Sequence, residues 1–416
     1  MEQLFQGKPP WKRVEWVRSP SWTVGPMPSF TYSAWISKGN EETLSMKEQI
    51  GVLDREHKWE LAKKMVNPYE LVYTHDDERL PPSLSLEQPL SRSYFKMIEI
   101  LDVFQFFQTV GKDTYKLRSA HVAEGPGGFI QAFAHRADHY KKQVMSSVAM
   151  TLRPTTSHVP GWKKATAFLQ KYKHVKIHYG VDGTGDIYST QNQASFEEVC
   201  QPLGVHLFTA DGGFDFSIDY SCQEQKVFQL LVCSSQIGLR VLKQGGCFVL
   251  KIFDCMSPST QALILLLGRS FSEWTLYKPA MTRPCNSERY FLGKGFRGVQ
   301  AAVLEQLSQM YLHAQEGRFP NTDDSSWMKE NEKTFFIHHN EMTASIQIQS
   351  IQEAIRLSED QDIWWSTWLA RCLDKSYQWC EEFHTLATPR LSYIAALLRK
   401  YPFLSSHTFQ KASFQQ

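Results

Sequence analysis

The segment Glu124 to Phe129, EGPGGF, gathers three glycines and a proline between an apolar run and an amphipathic one. Glycines at 125, 127 and 128 permit unusual φ values and close backbone approach, so a small charged ligand can rest against the amides that open a following helix. A plain tight turn between a strand and a helix has the same composition. The loop matches neither G-x-G-x-x-G nor G-x-x-x-x-G-K-[ST], which removes the main support for a dinucleotide or a nucleoside triphosphate. Lys251 is the second residue out of pattern, because it interrupts the apolar run CFVLKIF. A lysine in a buried strand is costly unless it is paired or chemically used.

These residues need elements to hold them. Between 87 and 298, short β-like runs such as LRSAHVAE, VMSSVAM, VKIHYG, VHLFTADGG and CFVLKIFD alternate with helical ones such as FIQAFAHRA, QLLVCSSQIGLRVL and ALILLLGRSF, and RYFLGKGF closes the series. That alternation predicts an α/β domain with a mostly parallel central sheet flanked by helices. It also puts EGPGGF where open α/β sheets bind ligands. SRSYFKMIEILDVFQFF has helical spacing, with Ser91 or Ser93 as N-cap, so Lys96 falls in the first turns of a helix. Residues 1–86 read as an N-terminal extension, broken at Pro81-Pro82, and 299–416 as a C-terminal helical appendage. Its Trp-rich WWSTW is assigned to helix packing and its last residues to a frayed end.

A chain of 416 residues exceeds what one core usually holds, which fits one main domain with additions. Its 42% hydrophobic and 13% aromatic residues exclude a disordered chain. A net charge of +2 decides nothing about a polyanionic partner, since local patches govern that attraction. Eight cysteines without a C-x-x-C pair argue against a zinc cluster or a disulfide framework and fit a reducing compartment. The start MEQLFQGKPPWKR has no apolar core of a secretory signal. The most apolar run, Ala262 to Leu267, is far short of the ~20 residues that span a bilayer. An intracellular protein with no membrane partner is expected.

Five further segments follow in order with the glycine loop: SRSYFK (91–96), DGTGDIYSTQN (182–192), TADGGFD (209–215), GGCFVLKIFD (245–254) and KPAMTRPCNSERYF (278–291). Over about half the chain the series resembles the FtsJ-like ribose 2′-O-methyltransferases. Within them it looks most like the mRNA cap enzymes of trypanosomatids, other eukaryotes or large DNA viruses. The resemblance implies a Rossmann-like methyltransferase fold, S-adenosyl-L-methionine as cofactor, and a Lys-Asp-Lys-Glu tetrad matched by Lys96, Asp211, Lys251 and Glu288. It implies that Gly125, Pro126, Gly127 and Gly128 line the methionine side, with Glu124 and Phe129 in the same cofactor loop. Asp186 and Ile187 would flank the adenine, and Asp211 would approach the methionine amino group. The position five before Pro126, often Asp in the family, is His121, and VMSSVAM ends without the usual ribose-binding acid, which leaves Glu124 as a substitute. AEGPGGF and the KPA segment resemble the branch acting on the second transcribed nucleotide, the cap-2 type.

A ribose 2′-hydroxyl is a poor nucleophile that must attack a sulfonium methyl group in line, so the tasks are deprotonation and alignment. Lys251 is the candidate general base, with desolvation and a second cation, Lys96, expected to bring it down from ~10.4. Asp211 and Glu288 would orient the lysines and temper that drop, and Lys96 would hold the 2′-oxygen. The transfer needs no metal. Taken singly, Lys96 also suits a surface helix, Asp211 a turn and Glu288 a loop ion pair. For a capped RNA partner, Lys163-Lys164, Lys171 to Lys176 and Lys278 to Arg297 are candidate phosphate contacts, and Tyr290 and Phe214 candidate base stackers. Trp11, Trp16 and Trp22 suit either the capped end or core packing.

Three functions fit: a cap ribose methyltransferase acting at nucleotide two, with nucleotide one beside it; an rRNA or tRNA ribose methyltransferase; and an inert RNA-binding pseudo-methyltransferase subunit. The GDI and NSERY segments favour the first over the second, and the intact tetrad favours it over the third. A nuclear location is expected, or a cytoplasmic one for a virus-encoded chain.

Overall fold

The computed structural model describes residues 8–19, 30–36, 41–55, 58–74, 77–110, 112, 114–155, 161–201, 203–213, 223–321, 328–359 and 365–405. Trp22, Phe214, Trp364 and the tail beyond 405 lie outside these residues. The strands are β1 Val17–Arg18, β2 Thr31–Ser33, β3 Lys116–Val122, β4 Gln143–Met150, β5 Val175–Ile177, β6 Val205–Ala210, β7 Leu242–Ile252, β8 Phe271–Tyr277, β9 Arg289–Phe296 and β10 Phe319–Asn321. Eight of them make one sheet in the order β1-β8-β9-β7-β6-β3-β4-β5, and β2 pairs with β10 apart from it.

Strands β3 to β7 run parallel, which requires a crossover between each pair and so covers both sheet faces. That is why β6, VHLFTA, is buried at every position. The chain steps outward from β3 to β4 and β5, then returns to lay β6 and β7 on the other side of β3. The topological switch point therefore lies between β3 and β6, whose ends Val122 and Ala210 are partners in the ladder. The expected Rossmann-like α/β sheet is present, with β9 inserted antiparallel between β7 and β8.

The helices around it are α1 Glu41–Arg55, α2 Trp59–Met65, α3 Ser93–Val103, α4 Gly128–His139, α5 Thr166–Lys171, α6 Thr190–Cys200, α7 Gln223–Val241, α8 Pro258–Gly268, α9 Ala301–Gln315, α10 Glu330–Glu359, α11 Trp365–Glu382 and α12 Arg390–Lys400. No helix of the described residues is long and apolar enough to cross a membrane. The N-terminal region adds an edge strand, with Val17 opposite Trp274, and the C-terminal region shares β10 with β2. Both departures from the sequence reading involve strands of two or three residues, too short to show alternation. Trp11 packs on Tyr69 and Phe383, Trp16 on Phe104, and Trp368 is fully buried, so these tryptophans serve the core.

Two buried carboxylates tie the flanking regions to the sheet. Glu70 lies 3.0 Å from Arg92 at the start of α3 and 2.9 Å from Arg283 in the β8–β9 loop, and accepts from Asn67 at 2.7 Å. Burial works against its charge, but the two guanidinium groups outweigh that and hold its pKa below the usual range. Glu99 on α3 accepts from the Tyr277 hydroxyl, from the Ala280 amide at 2.7 Å and from Trp379 Nε1 of α11 at 2.8 Å. With only neutral donors around it, burial dominates and pushes Glu99 up to about 7. Glu70→Ala would strand two half-buried arginines around an emptied buried site, so denaturant unfolding should show a loss of about 3 kcal/mol; a loss under 1 kcal/mol would mean that water replaces the carboxylate.

Candidate active site

The four charged residues named from the sequence come from four different places and meet at the carboxyl edge of the sheet. Lys96 stands in the first turn of α3, Asp211 directly follows β6, Lys251 is the next-to-last residue of β7, and Glu288 directly precedes β9. Lys96 Nζ lies 2.5 Å from Glu288 Oε1. Lys251 Nζ donates to the Asp211 carbonyl at 3.0 Å and lies 3.4 Å from Asp211 Oδ1. The lysine that interrupts CFVLKIF thus has its partner.

Tyr290 joins the two ion pairs. Its hydroxyl lies 2.9 Å from Asp211 Oδ1 and 3.0 Å from Glu288 Oε1. A phenol has one proton to donate, so it serves one carboxylate at a time. Burial and the two carboxylates push its pKa well above the ordinary value, which keeps it a donor. The ring is fully buried, so the expected base-stacking role for Tyr290 is corrected. Its place was readable: Glu288 and Tyr290 are two residues apart, hence on one side of an extended chain. In the ladder Tyr290 faces Lys251.

Lys278 is a further residue the sequence did not single out for this role. Its Nζ donates to Asn286 O at 2.6 Å, Asn286 Oδ1 at 3.0 Å and Glu288 O at 3.0 Å, which uses all three of its protons to hold the loop that carries Glu288. Other cations of the 278–297 segment are also occupied: Arg283 on Glu70, fully buried Arg289 beside Asp254, and Arg297 on the Ser19 carbonyl. The segment therefore braces the fold rather than presenting a row of free cations.

Glycines let these groups approach. A Cβ at Gly213 would stand 3.2 Å from Cε and Nζ of Lys251, and one at Gly212 would stand 2.9 Å from Ala123 Cβ. At Gly128 it would fall 2.4 Å from Ser91 Oγ and 2.3 Å from Ser93 Oγ, so this glycine lets the start of α3 sit on the glycine loop. Lys96 and the loop are thereby positioned by one contact. Gly127, at φ +102°, lies over Trp162.

Charge in the site differs from the sequence expectation in sign. Burial pulls Lys251 down, but Asp211 and Glu288 outweigh it, and the net shift is upward from the ordinary 10.5. Glu288 is opposed by burial and held below its usual range by Lys96 and Lys251. Without bound substrate Lys251 is therefore an ammonium. The sequence reading had both carboxylates tempering the drop; how closely they approach, and hence that they outweigh burial, is set by the fold and not by sequence spacing.

The FtsJ-like methyltransferase family profile matches residues 89–296, half of the chain. The chain belongs to the FtsJ-like methyltransferase family. Among its curated relatives, a Xenopus laevis protein named cap-specific mRNA (nucleoside-2′-O-)-methyltransferase 1 is 34% identical over 224 residues, 50% of this chain and 26% of that protein. Its namesake in Trypanosoma cruzi is 30% identical over 265 residues, 62% of this chain and 70% of that protein. The Homo sapiens namesake is 28% identical over 340 residues, 76% of this chain and 38% of that protein. The chain thus spans about a quarter of the Xenopus protein and over two thirds of the trypanosomal one.

The cofactor of this FtsJ-like domain, S-adenosyl-L-methionine, fits the residues at the switch point. Gly125 to Gly128 put backbone rather than side chains at the start of α4, and Phe129 is buried beneath, 5.8 Å from the Tyr290 ring. Asn192 shapes the 182–187 loop by accepting from Val181 N at 2.9 Å and donating to Asp186 O at 3.0 Å. Asp186 Oδ1 accepts from Tyr188 N at 2.9 Å, and Ile187 is buried next to it. Glu124 is buried too: it accepts from Thr209, lies 3.2 Å from His121 Nδ1, and is pushed up by burial. His121, fully buried, bonds Thr209 at 2.7 Å and Ser119 at 2.8 Å, so the departure at His121 and the suggested substitute Glu124 belong to one polar cluster beneath the loop.

Tyr290→Phe removes only the hydroxyl that joins the two pairs. A buried hydrogen bond to a charged group is worth about 1.5–3 kcal/mol, so steady-state turnover should fall roughly ten- to hundredfold with cofactor affinity unchanged by calorimetry. Unchanged turnover would mean that the two pairs act independently.

Proposed function

We propose that this protein transfers the methyl group of S-adenosyl-L-methionine to a ribose 2′-oxygen near the 5′ end of capped mRNA, at the second transcribed nucleotide. The observation that carries the reading is the pair of Lys–carboxylate contacts, bridged by Tyr290, at the switch point beside the glycine loop. The names of the curated relatives support capped mRNA as substrate. The cap-2 position rests on the AEGPGGF loop, with its buried Glu124, and on the KPA segment that begins at Lys278. A nuclear site of action accompanies this reading, or a cytoplasmic one for a viral chain.

The cofactor supplies an electrophilic methyl group; the chain's own residues align and deprotonate the hydroxyl. Lys96, fixed by Glu288, holds the 2′-oxygen, and Lys251, having first released its own proton to solvent, receives the proton of the 2′-hydroxyl. Asp211 and Glu288 keep both amines in place. Because Asp211 and Glu288 hold Lys251 above its ordinary 10.5, its neutral fraction at pH 7 is small and grows tenfold per pH unit. The logarithm of single-turnover rate should climb with a slope near one from about pH 7 to 9. A plateau below pH 8 would mean that the loaded site no longer holds Lys251 above its ordinary value.

Methyl transfer to capped RNAs already 2′-O-methylated at nucleotide one, two, both or neither tests the function itself. Loss only when nucleotide two is blocked is expected; loss only when nucleotide one is blocked makes the enzyme cap 1. No incorporation into any capped RNA, with cofactor bound, overturns the proposal. Lys251→Ala should abolish transfer while cofactor and RNA binding persist, and near-normal turnover would remove Lys251 from the role of base.

A further inference from the structure

A cleft of about 850 Å³ opens beside the loop that carries Glu288. One wall is the N-terminal segment Lys8 to Glu15; the other is a face of α10 from Phe335 to Gln349; the floor is the end of β8 with the loop after it. Its described lining holds Lys8, Lys12, Arg13, Lys278 and Lys375 against one carboxylate, Glu15. Lys12 is paired with Glu382, and Lys278 is spent on carbonyl oxygens. Among the described residues, Lys8, Arg13 and Lys375 make no ion pair. Burial pulls Lys375 down and the nearby charge of Arg13 adds to that pull, while Asp374, itself paired with Arg390, opposes it less. Uncompensated cations gathered in a concave site repel one another and focus an attractive potential on an anion.

A second observation points the same way. His339 on the α10 wall is buried with Nε2 lacking any hydrogen-bond partner, and its ring is stacked 5.6 Å from Phe335, which is only half-buried. A buried ring nitrogen left unpaired is rare and marks a place where a polar group of a ligand fits. The cleft also touches the tetrad's support. Lys278 and Thr282 both line it, Lys278 holding the Glu288 carbonyl and Thr282 Oγ1 lying 3.4 Å from Glu288 Oε1.

We propose that this cleft is the track for the phosphate chain of the RNA on one side of the methylated ribose, with Lys8, Arg13 and Lys375 as its phosphate contacts. The inference rests on the RNA reading above and deepens it. Lys8 and Arg13 precede the family-matched segment 89–296, and His339 and Lys375 follow it, so the flanking regions hold the substrate. Phosphates of the 5′–5′ triphosphate and of the downstream phosphodiesters share this chemistry.

The test compares the unaltered protein with Lys8→Gln/Arg13→Gln/Lys375→Gln by fluorescence anisotropy over a salt series. The probes are the cap dinucleotide m7GpppA and an uncapped oligonucleotide of about 12 nucleotides. Three lost contacts should flatten the log K against log salt slope by about 2, at roughly 0.7 per single-strand phosphate. RNA affinity should drop at least tenfold, with cofactor affinity unchanged by calorimetry. Loss seen with the dinucleotide assigns the cleft to the triphosphate; loss confined to the longer RNA assigns it to the phosphodiesters. Ultraviolet cross-linking of the unaltered protein, which does not depend on the variant's folding, should place adducts on residues 8–15 or 335–349. Unchanged affinity and slope for both probes, with cross-links elsewhere, overturns the cleft while leaving methyl transfer standing. A protein that neither binds nor methylates capped RNA overturns both.

Discussion

Two ammonium groups and two carboxylates share one largely buried space, and the rest of the structure is arranged so that none is left alone. Removing a buried charge from water costs several kcal/mol unless partners replace the solvent. Lys96 has Glu288, Lys251 has Asp211, and Tyr290 stands between the carboxylates. That condition fixes the relative positions of α3, the ends of β6 and β7, and the loop before β9. Gly128, Gly212 and Gly213 follow from it, because a side chain at any of them would push those elements apart. So does Lys278, which clamps the loop from behind.

The regions outside the family-matched segment take part in the same constraint. Glu70 grips α3 through Arg92 and the β8–β9 loop through Arg283, the two elements that deliver Lys96 and Glu288. Glu99 links α3, the same loop and Trp379 of α11. The N-terminal and C-terminal regions therefore act as an outer brace of the site. The C-terminal tryptophans were legible as packing and the N-terminal ones suited either packing or the capped end, but the two glutamates were not legible, since each reaches partners far away in sequence.

What the sequence showed and what it hid divide along a physical line. The parallel sheet, the glycine loop at the switch point and Lys251 were legible, because strand alternation, glycine at a strand–helix junction and a lysine inside CFVLKIF each leave a local mark, whereas Lys96, Asp211 and Glu288 were named only through the resemblance to the FtsJ-like family. Strands β1, β2 and β10 left none at two or three residues each. Tyr290 was misassigned because an aromatic near basic residues looks like a stacking platform, whereas its hydroxyl is what the site uses. The direction of the Lys251 shift was hidden for the same reason as the glutamates: it depends on how close Asp211 and Glu288 come, and only the fold sets that.

The upward shift of Lys251 also bears on how a lysine can serve as base here. In the resting site two positive and two negative groups balance, and Asp211 with Glu288 holds the proton on Lys251. A cation held at the glycine loop opposes that pull, because like charges at short range disfavour the ammonium form. Lys251 therefore sheds its proton more readily once a positively charged cofactor is bound than before it. The same pair of carboxylates that stabilises the folded site thus also holds the proton on Lys251, and in the proposed reaction its loss is a property of the loaded site rather than of the lysine alone.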